Sequence, residues 1–131
     1  MSTMLIKRGG VVRVYFPNSD LISSKRRPAL VVQADNLATG LPQFLLALIT
    51  SNLNRANHSS RVFIKLNTDE GRASGLRTDS IIMTDNIVTV FETEIDSIFG
   101  RLPDMQAVND ALRHSFGLNE AVEDFENGKS N

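Results

Sequence analysis

"SSKRRPALVV" spans residues 23–32 and sets three consecutive cations at the threshold of an apolar run. Lys25, Arg26 and Arg27 lead straight into Pro28, and Ala29, Leu30, Val31 and Val32 follow. Proline has no amide hydrogen for a ladder, so a strand tolerates it best at its first position. The stretch therefore reads as a polar loop over residues 20–27 feeding a short buried strand over residues 28–32.

The flanking sequence extends the same pattern. After Gly9-Gly10, the residues Val11, Val12, Val14, Tyr15 and Phe16 read as a strand interrupted by Arg13, and Pro17-Asn18-Ser19-Asp20 stops it with turn chemistry. Residues 36–42 read as a loop. Residues 43–50 read as the next strand, closed by Ser51-Asn52 and followed by a polar loop over 53–60. In residues 61–66, Val62, Ile64 and Leu66 alternate with Arg61, Phe63 and Lys65, as a half-buried strand requires. Residues 67–75 read as a turn. Residues 79–90 hold one or two strands around Thr84-Asp85-Asn86, and Glu92 and Glu94 flank an extended piece ending at Ile98.

One helix is expected. Met105, Val108, Leu112 and Phe116 recur at helical spacing. Pro103 and Asp104 suit its first turn, Arg113 and His114 its last, and Gly117 the position after it. Short strands with one terminal helix predict a mainly β fold with a C-terminal helix (α+β), built as a small, strongly bent sheet or barrel. The domain is expected over residues 1–118. Residues 119–131 carry four carboxylates against one lysine and read as a disordered acidic tail.

Composition bounds the chemistry. A chain of 131 residues suits one core. Without cysteine there is no disulfide framework, thiolate nucleophile or thiolate metal site. The longest apolar run, residues 44–49, is far too short to span a membrane, and the opening MSTMLIKRGG does not read as a signal peptide. A soluble cytoplasmic protein with no membrane partner is expected. Residues 1–118 hold 13 basic and 11 acidic side chains, so the body is mildly basic while the tail is acidic.

No metal or cofactor is expected. His58 and His114 are far apart in sequence and lack carboxylates at ligand spacing. There is no phosphate-binding glycine loop or nucleophile elbow, and Glu92 with Glu94 reads as a solvated edge. The cationic triplet alone fits a solvated loop. It also fits a phosphate cradle, should strands 28–32 and 43–50 pair and bring Thr50-Ser51-Asn52 beside Arg27. Thr50 itself can simply cap a turn.

Taken together, "KRRPALVV" (25–32), "ALITSN" (47–52), "GLRTDSIIMTDNIVTV" (75–90), "IFGRL" (98–102) and "MQAVNDALRHSFGL" (105–118) resemble the MazF/PemK toxins of bacterial toxin–antitoxin pairs. The resemblance covers residues 9–118. It implies a small SH3-like barrel of the MazF/PemK/CcdB type that forms a homodimer and binds a cognate antitoxin. It further implies a growth-inhibiting, metal-independent and sequence-specific endoribonuclease acting on single-stranded RNA, an mRNA interferase. The family's essential arginine falls on Arg27 and its essential threonine on Thr50. Asp85 matches an aspartate that contacts base or substrate in PemK-type members.

The chain departs from those members at three places. Met83 stands where they have an arginine, Leu21-Ile22-Ser23-Ser24 stands where some have His-Glu-Gln, and Gly9-Gly10 replaces the common Gly-Asp opening. Beyond the catalytic pair, Lys25, Arg26 and Arg77 are expected on RNA phosphates, with Ser51, Asn52, Asp85 and Asn86 as further RNA contacts. Tyr15 and Phe63 are candidate stacking platforms, and core packing is the preferred reading for Phe63. Two rival functions on the same fold are a CcdB-like DNA gyrase poison and a non-catalytic binding module. The C-terminal tryptophan through which CcdB-type toxins engage gyrase has no counterpart here.

Overall fold

The computed structural model describes residues 5–17 and 24–118. The tail expected over 119–131, the turn at Asn18-Ser19-Asp20, and Leu21-Ile22-Ser23 lie outside the described residues.

Six strands form one antiparallel sheet: β1 (Gly10–Pro17), β2 (Ser24–Val31), β3 (Gln43–Thr50), β4 (Arg61–Ile64), β5 (Ser80–Phe91) and β6 (Ile95–Arg101). Their spatial order is β4-β5-β3-β2-β1-β6, so β4 and β6 are the edges of an open, barrel-like sheet. Helix α1 (Asp69–Ser74) joins β4 to β5, and α2 (Gln106–Phe116) closes the described chain. Among the described residues no helix is long and apolar enough to cross a membrane.

Period-two alternation puts apolar side chains on both faces of the sheet. Val11, Leu30, Ala47, Ile49, Ile64 and Ile82 line one face, where Val108 of α2 joins them with Met105 and Leu112 packed alongside. Val12, Val14, Ala29, Val31, Leu46, Val90 and Ile95 line the other, where the bent sheet encloses them. Fully burying a side chain of this size stabilises the fold by about 1.5–3 kcal/mol. The helix stripe is shorter than expected, because Phe116 is exposed. Met105 takes the cap position and Asp104 Oδ1 accepts the Gln106 N–H at 2.9 Å, so Pro103 and Asp104 precede the helix. Gly117 ends it at φ 69°, in the left-handed region.

Four expectations are corrected. Residues 24–27 are strand: β2 starts at Ser24 and pairs with β1 from Pro17↔Ser24 to Val11↔Leu30. Pro28 therefore sits inside the strand. Its place is tolerated because pairing with β3 covers only Ala29, Leu30 and Val31. The Val32 N–H donates to Leu45 O, so by alternation Leu30 and Pro28 also point toward β3. The missing hydrogen thus falls where the β2–β3 ladder ends.

The second correction is α1, in a segment read as turn. Thr68 Oγ1 accepts the Gly71 N–H at 3.0 Å, Asp69 and Glu70 complement the helix dipole, and Gly75 closes the helix at φ 74°. Third, Glu92–Glu94 is one 3-10 turn: the Glu94 carboxylate accepts the Phe91 N–H at 2.7 Å. Fourth, Phe63 is 49% exposed, on the outer side of edge strand β4.

Residues 80–91 form a single strand, with a bulge at the expected break. Ala47 faces Ile87 and Leu48 faces Met83, so Thr84, Asp85 and Asn86 have no partner on β3. The released side chains find other partners. Thr84 Oγ1 donates to Ser60 O at 2.7 Å and lies 2.8 Å from Ser115 Oγ of α2. Asp85 makes a two-pronged pair with Arg61, at 2.9 Å to Nε and 2.6 Å to a terminal nitrogen. Arg61 also donates to Arg55 O at 2.8 Å, tying the loop after β3 to β4 and β5.

Two measurements test this packing. A Cβ on Gly100 of β6 would collide with the Ser74 carbonyl at the end of α1. Gly100→Ala is expected to cost about 1–3 kcal/mol in denaturant unfolding; an unchanged midpoint would contradict the close approach. The Arg61 hydrogen bond holds the Asp85 carboxyl below its ordinary range, against the opposing effect of burial. A carboxylate with a lowered folded pKa contributes stability above its unfolded pKa of about 3.9, lost as pH falls through the folded value. Asp85→Asn is therefore expected to lose about 0.5–1 kcal/mol at pH 7, and the deficit should shrink once the pH falls below that lowered pKa. A deficit that persists undiminished through acid titration of Asp85 would contradict it.

Candidate functional site

Pairs Ala29↔Leu48, Leu30↔Ala47 and Val31↔Leu46 define the β2–β3 register. Carried two residues past the end of the ladder, that register sets Arg27 opposite Thr50. Both side chains are half-buried, and both line one open cleft of about 410 Å3.

The cleft draws on five parts of the chain. Lys25, Arg26 and Arg27 come from β2, Thr50 and Ser51 from the end of β3, Arg77 and Thr78 from the α1–β5 connection, and Arg13 with Phe99 from β1 and β6. Five of its lining residues are cationic and none is a carboxylate. The Thr50 hydroxyl oxygen accepts the Asn52 N–H at 3.1 Å, which is the turn-capping role. That bond uses only the oxygen, so the O–H hydrogen remains available to donate.

The expected site residues divide into three groups. Arg27, Thr50, Lys25, Arg26, Ser51 and Arg77 share the cleft. Asn52 adjoins it, with its side-chain carbonyl accepting the Asn54 N–H at 3.1 Å and capping the turn Leu53–Arg55. Asp85 and Asn86 are not in the cleft lining; they sit in the β5 bulge, where Arg61 holds Asp85.

Arg26 is engaged from below. Its Nε donates to the Tyr15 hydroxyl at 3.0 Å, and its guanidinium lies 5.2 Å from the Tyr15 ring centroid. The Tyr15 hydrogen bond, then the nearby Asp96 carboxylate, raise the Arg26 pKa above its already high ordinary value. Tyr15 is 44% exposed and so offers an accessible ring at the cleft's edge. Among the described residues no three His, Asp or Glu side chains are gathered as a metal ion would need.

Sequence reasoning passed over Arg13 and Phe99. Arg13 read only as an interruption between Val12 and Val14, yet its guanidinium lies 5.8 Å from the Phe99 ring centroid in the cleft wall. The available signal was a charge inside an otherwise apolar strand. Nothing in the local pattern pointed to Phe99, because its direction depends on a bulge in β6.

The PemK-like, MazF-like toxin of type II toxin-antitoxin system family matches residues 7–116. Endoribonuclease MazF6 of Mycobacterium tuberculosis is 33% identical over 105 residues, covering 78% of this chain and 88% of that protein. Endoribonuclease EndoA of Bacillus subtilis is 30% identical over 121 residues, covering 88% and 97%. Among solved structures, a mycobacterial endoribonuclease in complex with its cognate antitoxin superposes at TM-score 0.68 with 20% identity, covering 87% of this chain and 97% of that one. MazE-MazF from Deinococcus radiodurans superposes at 0.64 with 15% identity, covering 88% and 98%. At those identities the two structures speak for the fold. The family match and the two sequence relatives each run over most of the chain, and the protein belongs to the PemK-like, MazF-like toxins of type II toxin–antitoxin systems.

Proposed function

We propose that the protein is a metal-independent endoribonuclease that cleaves single-stranded RNA at specific sequences, with Arg27 and Thr50 acting on the scissile phosphate. The observation that carries this reading is that Arg27 and Thr50 line one cleft together with five cations in all and no carboxylate. A polyanion suits such a cleft, and the relatives named as endoribonucleases support RNA as that polyanion.

RNA brings its own nucleophile. The 2′-OH loses its proton to solvent as it attacks the adjacent phosphorus, the bond to the 5′-oxygen breaks and that oxygen takes up a proton, and the products are a 2′,3′-cyclic phosphate and a 5′-OH. Negative charge builds on the non-bridging oxygens of the five-coordinate phosphorane. The Arg27 fork neutralises that charge through paired N–H donors, and the Thr50 O–H donates to the same phosphate. An arginine keeps its charge in a protein, so it is a charge stabiliser and proton donor to the leaving oxygen rather than a base. Losing one such donor typically costs about 10²–10³-fold in rate.

Lys25, Arg26 and Arg77 then hold flanking phosphates, and Ser51 and Asn52 meet base or sugar edges beside Thr50. The same reading makes the protein a cytoplasmic, growth-inhibiting toxin that acts as a homodimer and is restrained by a cognate antitoxin. The mycobacterial and Deinococcus complexes support the antitoxin as partner.

The test uses a long single-stranded RNA with excess EDTA. Wild-type protein is expected to give discrete fragments ending in cyclic phosphate, and Arg27→Lys to lose about 10²-fold or more of that rate while keeping RNA affinity within about tenfold. RNA left intact by the wild type would overturn the reading in favour of a binding module or gyrase poison. Near wild-type cleavage by Arg27→Lys would overturn the role given to Arg27.

A further inference from the structure

Strand β6 carries two bulges, and both extra residues turn toward Arg13. Val11 faces Gly100 and Val12 faces Ile98, so the ladder passes over Phe99. Arg13 faces Ser97 and Val14 faces Ile95, so it passes over Asp96. A bulge frees a side chain from the sheet's alternation and re-aims it. Here Phe99 packs against the Arg13 guanidinium, and Asp96 Oδ2 comes within 3.4 Å of Arg13 Nε and 3.8 Å of Arg26 Nε. One carboxylate is therefore shared between two of the cleft's five cations.

The three groups are close in charge but loose in geometry. Charge-assisted N–H···O bonds run about 2.7–2.9 Å, and both Asp96 distances are longer. Arg13 Nε is buried and has no hydrogen-bond acceptor, although Asp96 lies beside it. Ser97 Oγ, a further polar neighbour of the Arg13 guanidinium among the described residues, is 3.4 Å away. Arg13 and Arg26 remain partly exposed, at 42% and 49% of their side-chain surface. A second anion can reach both guanidinium groups from the cleft, and the carboxylate that faces them is not locked in place.

We propose that Asp96 is a positioning residue that acts through Arg13 and Arg26: a bulge-borne internal anion that holds both guanidinium groups at the cleft wall and yields them to an RNA phosphate on binding. The proposal rests on the cleft being an RNA site, and it deepens that reading. Asp96 offsets repulsion among closely set cations while the cleft is empty. It also means that a polyanion entering the cleft must displace a carboxylate before it can pair with these two arginines. Binding through phosphates alone is thereby weakened, and the Arg27–Thr50 step is left to the substrate that also fits there.

The sign of the effect separates this role from a purely structural one. Asp96→Asn keeps the side chain's shape and removes its charge. Its affinity for a mixed-sequence single-stranded oligodeoxynucleotide, which has phosphates but no 2′-OH to attack, is expected to rise about three- to tenfold at low salt. The logarithmic salt slope is expected to steepen by about 0.7 for every additional phosphate that the freed arginines neutralise. Asp96→Glu keeps the anion and is expected to bind within about twofold of wild type. Unchanged or weaker binding by a folded Asp96→Asn overturns the proposal.

Should Asp96→Asn not fold, the wild type reads the same exchange. The Nε–H nuclear magnetic resonances of Arg13 and Arg26 are expected to shift together on titration with the oligonucleotide, and no shift at saturation overturns it. Because the probe cannot be cleaved, these results are independent of turnover. A wild type that binds the probe but leaves RNA intact would sink the nuclease reading and leave the exchange standing.

Discussion

Pro28 carries no amide hydrogen at the point where β2 would next bond to β3, and the geometry of the site follows from that gap. Alternation from the Val32 N–H···O Leu45 bond directs residues 30 and 28 toward β3. Leu30 lies within the ladder and Pro28 lies just beyond it. Past this point β2 is still held by β1, down to Pro17↔Ser24, so its cationic half stays extended without being bonded across to β3. The cleft opens there, with Arg27 on one side and Thr50 on the other. A strand supported on one edge can thus present functional side chains without local disorder.

Gathering Arg13, Lys25, Arg26, Arg27 and Arg77 in one cleft has an electrostatic cost that the surroundings reduce. Two like charges 4 Å apart repel by about 4 kcal/mol at an effective dielectric of 20, and by about 1 kcal/mol in water. The cleft is open, so water lowers the repulsion for the exposed members. Arg26 has the Tyr15 hydroxyl and ring beside it, and Arg13 has the Phe99 ring. Both share Asp96. Arg13 and Arg26 are therefore given partners, while Lys25 and Arg77 project as exposed side chains.

The strands were legible because each is an apolar run bounded by turn chemistry, and the pairing of residues 28–32 with 43–50 brings Arg27 and Thr50 to one cleft. The helix end at Gly117 was legible from the need for a left-handed residue. Less was visible where direction depends on a bulge. Val12-Arg13-Val14 and the run from Ile95 to Arg101 alternate plausibly, yet the ladder passes over Asp96 and Phe99, and these two build the wall behind Arg13. The same holds for Asp85, whose released side chain joins Arg61 rather than the cleft. Helix α1 was missed because six residues are too few for a helical period to register. Its signal was the Thr68 cap with Asp69 and Glu70 behind it.

The central claim is that Arg27 and Thr50 serve a reaction whose nucleophile belongs to the RNA. The most direct measurement uses two matched oligonucleotides carrying a mapped cut site, one all-ribose and one with a single 2′-deoxy sugar immediately 5′ of the scissile phosphate. The protein is expected to bind both alike and to cut only the all-ribose strand at that site. Cutting of the 2′-deoxy strand at the same phosphate would require a nucleophile from elsewhere and would contradict the account.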